Sequence, residues 1–213
     1  MAAPQEASAH RFRCTACGEC CRKMRVVLTL GDLVRLCRAV PGWAQHLAWL
    51  APDEVDMTNE PGSFVELSVG RRLMTLAWKD GGCGFLKADG RCAVYVERPM
   101  DCRIYPYDFS LKPVGLLPLF DECEAAWDTD ADLTSAETED TERWRELAEY
   151  QALVGEWNRR ARQRRRLGYK KGEVAEFLRF LAKRAGGALE GFDAGFAEAH
   201  DSVFGEKPEP SAT

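Results

Sequence analysis

The sequence predicts an α+β protein: a small cysteine-rich module of short strands and helices, followed by a helical C-terminal extension. Three observations carry this. Four of the nine cysteines fall within CTACGECC, residues 14–21, and the segments that follow are short apolar runs broken by Gly and Pro. From Val114 through Glu142 there is no Lys or Arg, and acids accumulate. Beyond that stretch the apolar residues recur near a helical period. The expected division is a cysteine module at 12–125, a helical extension packed on it at 126–205, and flexible tails at 1–11 and 206–213.

Taken in order, MRVVLTL (24–30) is β-branched enough for a short strand. TLGDLVRLCRAV reads as a helix that Thr29 caps, with Asp32 completing a capping box. Leu33, Leu36 and Cys37 share its apolar face, with Val40 beyond, and Pro41-Gly42 ends it. PGWAQHLAWL suggests a second short helix. FVELSVGRRLMTLAW (64–78) reads as two strands around a Gly-Arg turn. GFLKADGRCAVY (84–95) is a hairpin pattern, because Asp89-Gly90 supplies the positive φ of a tight turn. RPMDCRIYPY holds a turn or short helix between Pro99 and Pro106. VGLLPLF (114–120) suggests a strand confined to an edge by Pro118. DTDADLTSAETEDTE (128–142) reads as an exposed, partly flexible connection. Two helices follow, ERWRELAEYQALVGEWNRRARQRRR and KGEVAEFLRFLAKRA. Trp144, Leu147, Tyr150, Gln151, Val154 and Trp157 form the candidate packing stripe of the first.

A formal net charge of −5 argues against a molecule built to coat nucleic acid or an anionic membrane. No apolar run approaches the ~18 residues of a membrane-spanning helix. The N-terminus lacks the basic and apolar regions of a secretory signal, so a reducing cytoplasm is the expected compartment. There, dense cysteine reads as metal binding or redox chemistry before disulfides, and the odd cysteine total points the same way.

The spacing of the cysteines carries the chemistry. Cys14 and Cys17, and Cys17 and Cys20, are C-x-x-C pairs, which let a short loop turn two thiolates and nearby N–H groups toward one centre. C-x-x-C-x-x-C suits three corners of an iron–sulfur cluster, with a remote fourth ligand closing it. Neighbouring side chains usually diverge, so Cys21 is expected to serve a second site or a larger cluster. Cys83, Cys92 and Cys102 sit beside Gly, Asp-Gly and Pro turns. Cys37, on the apolar helix face, reads as a buried small hydrophobe. Setting it aside leaves eight cysteines, which divide into two sites of four.

These residues resemble the YkgJ-type cysteine-cluster proteins, the CxxCxxCC family of zinc- or iron-chelating domains. Cys14-Thr15-Ala16-Cys17-Gly18-Glu19-Cys20-Cys21 is the opening signature, and GGCGFLKADGRCAVYVERPMDCRIYPY (81–107) resembles the family's second block. Cys123 falls at the family's last cysteine, with Glu124 where a proline often stands. The resemblance covers about residues 12–125 and implies that Cys14, Cys17, Cys20, Cys21, Cys83, Cys92, Cys102 and Cys123 are metal ligands. A related cluster occurs in flagellin lysine methylases, but this chain is short for such an enzyme and shows no Gly-rich loop for a methyl donor.

Ligand spacing favours an iron–sulfur cluster, with a redox or cluster-dependent role. The alternative is a structural two-site zinc module serving protein or nucleic-acid interaction. Either centre is anionic, and Arg13, Arg22, Lys23, Arg91, Arg98 and Arg103 flank ligands where they can compensate it. Phe85, Tyr95, Tyr105, Tyr107 and Phe109 can shield a cluster or simply fill a core. The arginines of NRRARQRRR (158–166) read as a solvated helix end, a contact for the acidic 121–142 stretch, or a docking surface. The C-terminal helices are the expected surface for a protein partner, while nucleic acid is disfavoured by the absence of interleaved aromatics and glycines. His10, His46 and His200 are scattered, no triad or nucleotide fingerprint is present, and no catalytic residue is assigned.

Overall fold

The computed structural model describes residues 5–6, 11–55, 61–109, 114–117, 123, 126–128, 133–168 and 172–186. Most of the expected tails, 118–120 of the expected edge strand, 129–132 of the acidic connection and the extension beyond 186 lie outside the described residues. The fold is α+β. Its strands are β1 (Gln5–Glu6), β2 (Arg11–Arg13), β3 (Leu47–Leu50), β4 (Phe64–Leu67), β5 (Gly70–Leu76), β6 (Trp78–Lys79), β7 (Gly82–Cys83), β8 (Tyr107–Asp108), β9 (Gly115–Leu116) and β10 (Ala126–Asp128). Its helices are α1 (Glu19–Lys23), α2 (Leu30–Ala39), α3 (Met100–Ile104), α4 (Thr134–Arg166) and α5 (Val174–Arg184). The strands pair antiparallel in the orders β3-β5-β4, β1-β9-β8, β10-β2 and β6-β7. Among the described residues no helix is long and apolar enough to cross a membrane.

Helix α2 forms as its sequence dictates. Thr29 Oγ1 accepts from Asp32 N at 3.2 Å and Asp32 Oδ2 accepts from Thr29 N at 2.9 Å, closing the capping box. Leu33 and Leu36 are buried, and Cys37 is half-buried against the same core. The strand expected at 24–30 reduces to one bridge, Val27 with Thr75, and Leu28 N donates to Met74 O at 3.0 Å. The segment runs beside β5 only briefly, because Thr29 already begins the next helix. The helix expected in PGWAQHLAWL is a single 3₁₀ turn, Trp43–His46, followed by β3. Its alternation suits the sheet, where Leu47 faces Leu76 and Trp49 faces Met74. The β4–β5 turn is Ser68-Val69 rather than Gly-Arg, since Leu67 pairs with Gly70. The 84–95 hairpin keeps its Asp89-Gly90 turn but is held by one bridge, Leu86 with Cys92.

Helix α4 begins inside the acidic run that reads as a connection in the sequence. Glu137 in the first turn and arginines in the last match the helix dipole at both ends, which stabilises the acids as helix. At 33 residues it spans about 50 Å. Leu147, Tyr150, Val154 and Trp157 of the expected stripe are buried. Trp144 is exposed instead, with the Arg143 guanidinium 4.6 Å from its ring. Helix α4 covers the edge of β4: Asn158 Oδ1 accepts from Glu66 N at 2.7 Å and its Nδ2 donates to Phe64 O at 2.8 Å. The side-chain amide thus takes the place of a missing neighbouring strand. Phe177, Leu178 and Leu181 of α5 complete a core shared with α2, β4 and β5.

Candidate metal centre

The signature loop runs from β2 into α1. Ala16 and Gly18 adopt positive φ, 62° and 81°, which folds the loop back on itself. Ala16 N donates to Cys14 Sγ at 3.4 Å. In the second block the Phe85 and Leu86 backbones near Cys83, and the Val94 backbone near Cys92, ease ionisation of those thiols, and Leu86 N donates to Cys83 O at 2.9 Å. Cys14, Cys83 and Cys92 thus each have the backbone of the second residue downstream beside the sulfur. The two blocks touch at Gly90, whose φ of 81° places its Cα against the Ala16 carbonyl; a Cβ there would collide with that oxygen.

Cys14 and Cys17 come from the loop, Cys20 and Cys21 from α1, Cys83 from β7, Cys92 from the bridged turn, Cys102 from α3, and Cys123 from beyond β9. All eight line one cavity of about 580 Å³, and Cys37 does not. Among the described residues no three His, Cys, Asp or Glu side chains converge closely enough to hold a single ion as they stand. The sulfurs surround a space. Cys20 is its hub: it lies close enough to Cys83, Cys92, Cys102 and Cys123 to oppose the ionisation of each. Cys20 Sγ and Cys21 Sγ are 4.0 Å apart, so the divergence expected of neighbouring cysteines is absent. The Cys21 hydrogen bond and burial push Cys20 up, and burial pushes Cys83, Cys92 and Cys102 up. Burial and a hydrogen bond with Cys17 push Cys123 up to about 12. In the absence of metal these groups hold their protons; binding must displace them.

Of the six expected compensating cations, Arg13, Arg91, Arg98 and Arg103 line the cavity, joined by Lys87. Arg22 and Lys23 do not; both pair with Glu19, and Arg22 Nη1 also donates to Cys17 O at 3.0 Å. Arg98 lies close enough to Cys92 to favour its thiolate. Phe85, Tyr95, Tyr105 and Tyr107 are on the wall, and Phe109 is not. His46 stacks on Phe85 with ring centroids 4.2 Å apart.

Two sets of residues escape the sequence reading. Ala136 and Glu139 of α4 form part of the cavity wall, three residues apart on one helical face. A buried polar network seats α3, which carries Cys102. Asp32 Oδ1 accepts from Met100 N at 3.0 Å and from Arg35 Nη2 at 2.6 Å. Glu146 of α4 accepts from Arg35 at 2.8 and 2.7 Å and from Thr29 Oγ1 at 3.0 Å. Arg143 pairs with Asp101, beside Cys102. The Thr29–Asp32 box was the one visible signal of this network; its partner lies 117 residues away.

A family model described as a putative zinc- or iron-chelating domain matches residues 13–128. The chain belongs to the CxxCxxCC family. The matched segment contains all eight cavity cysteines, and the family's description supports metal binding there. It ends before α4, so Ala136 and Glu139 reach the cavity from outside it. No curated protein and no solved structure matches the chain.

Proposed function

We propose that Cys14, Cys17, Cys20, Cys21, Cys83, Cys92, Cys102 and Cys123 hold an iron–sulfur centre with an electron-transfer or cluster-dependent role. The observation that carries this reading is the enclosure of one 580 Å³ space by eight soft thiol donors. A lone four-coordinate ion needs sulfurs gathered at only about 2.3 Å from it. The C-x-x-C-x-x-C spacing and the backbone beside the Cys14, Cys83 and Cys92 sulfurs support the same reading. The metal module is residues 12–125, with 126–205 as the extension that walls it, working in a reducing cytoplasm.

One observation favours a second reading. The 4.0 Å between Cys20 Sγ and Cys21 Sγ is close to the ~3.8 Å edge of a zinc–thiolate tetrahedron. A zinc module would then serve structure and interaction.

Anaerobic purification, an absorption spectrum, and iron, sulfide and zinc analysis on one sample distinguish the two. Iron and acid-labile sulfide in comparable amounts with visible absorption support the cluster. A colourless protein with zinc alone, even after growth with ample iron, overturns it. Cys20→Ser is expected to release the metal and Cys37→Ala to retain it; metal loss from Cys37→Ala would break the eight-ligand assignment.

A further inference from the structure

Among the described residues the charged groups on the cavity wall are mostly of one sign. At about 580 Å³ the cavity falls within the ~300–1,000 Å³ of small-molecule sites. Among the described residues five cations line it against one carboxylate, Glu139. These cations are not alike. Arg98 donates through Nε to Cys102 O at 3.2 Å and through Nη1 to Tyr95 O at 2.8 Å. Arg103 donates to Arg98 O at 3.1 Å and Val96 O at 2.6 Å. Both guanidiniums brace the 95–103 turn and stand as fixed charges beside the sulfurs.

Arg13, Lys87 and Arg91 differ. Among the described residues none of their side chains has an ion-pair or hydrogen-bond partner, and Arg13, Lys87 and Arg91 are exposed at the cavity. Their placement is built in. Lys87 N donates to Arg91 O at 2.9 Å, which sets these two residues opposite each other across the Asp89-Gly90 turn, where paired side chains share a face. The close approach of Gly90 to the Ala16 carbonyl brings that turn against the loop that Arg13 opens. Three unengaged cations thus gather where the two cysteine blocks meet. Behind them the wall is apolar, with Phe12, Met24, Val94 and Tyr105. Low-dielectric walls concentrate the field of such cations on whatever enters.

We propose that the mouth of the cysteine cavity is a binding site for a small organic oxyanion, a carboxylate or phosphate on an apolar body. Arg13, Lys87 and Arg91 take the oxyanion, and the apolar wall takes the body. This rests on the cavity being the metal centre proposed above, and it makes that centre one that meets a substrate or effector. Guanidinium and ammonium donors suit either head group, so the probes separate them.

The test is isothermal titration of the full chain with acetate, benzoate, inorganic phosphate and phenyl phosphate, with metal content measured on the same sample. Benzoate or phenyl phosphate is expected to bind saturably and more tightly than its counterpart lacking the ring. The pair that responds identifies the head group. Lys87→Gln with Arg91→Gln should weaken binding at least tenfold per metal-loaded chain. Arg165→Gln with Arg166→Gln, the same charge change on the far end of α4, should leave it unaltered. No saturable binding by any probe overturns the proposal, as does equal weakening by the remote pair. If the wild type carries no metal, the chelation reading fails on analysis. The oxyanion reading is then still decided by the two variant pairs.

Discussion

Replacing Gly31 with Ala should destabilise the protein, although alanine is the better helix former. Gly31 lies in the first turn of α2, and a Cβ there would land within contact distance of the Glu146 carboxylate. That carboxylate accepts three hydrogen bonds, two of them from the Arg35 guanidinium. A charge-assisted hydrogen bond contributes ~1.5–3 kcal/mol, and Ala exceeds Gly in helix propensity by up to about 1 kcal/mol. Displacing the carboxylate far enough to break one such bond therefore leaves a net loss of about 1 kcal/mol. In a Glu146→Ala background the obstacle is gone, so Gly31→Ala should there add up to about 1 kcal/mol of stability. The two backgrounds are expected to give opposite signs, a coupling of about 2 kcal/mol. Urea unfolding at fixed metal loading measures it, read as a midpoint shift at constant slope. A stabilising Gly31→Ala in the wild-type chain would refute the steric argument and with it the claim that Glu146 is held in place.

Other outcomes follow from the same packing. Tyr150 is fully buried and its hydroxyl has no partner among the described residues, so Tyr150→Phe should be neutral or stabilising by up to ~2 kcal/mol in the same assay. Asn158→Ala strips the β4 edge of both its bonds and should cost about 2 kcal/mol, seen as a lower unfolding midpoint. Burial holds the His46 imidazole below its usual 6.5. The unfolded chain therefore takes up that proton first, and stability should be complete above pH 6.5 and fall as pH drops below it. Melting curves between pH 5 and 7.5 should show this slope in the wild type and lose it in His46→Gln; an unchanged slope would exclude His46 as its source.

Local signals were legible in the sequence. The α2 capping box, the Asp89-Gly90 turn, the α3 helix between prolines and the burial of Leu147, Tyr150, Val154 and Trp157 each depend on residues a few positions apart. The place of Cys37 on an apolar helix face, away from any C-x-x-C pair, also separated it from the eight cysteines that line the cavity. What escaped depends on distant partners. The acidic run read as a connection because the dipole of a helix not yet known could not be credited to it. Trp144 fits the helical period but lies beyond the edge of the core. Two arginines of the expected basic patch, Arg162 and Arg164, pair with Glu66 and Glu176, partners far from them or on another helix. Glu146 became a partner of Arg35 only once α4 crossed α2.

The pairing of β2 with β10 has a consequence for how such a module travels between proteins. Arg13 sits opposite Ala126, and Arg11 opposite Asp128, so the chain enters and leaves the family segment through hydrogen-bonded neighbours. A segment with adjacent ends can be spliced into a host loop without forcing the host apart, as transplantable domains generally require. This cassette, however, does not arrive complete. Its cavity borrows Ala136 and Glu139 from α4, and its core is shared with α4 and α5. In this chain α4 therefore supplies the part of the wall that the family segment lacks.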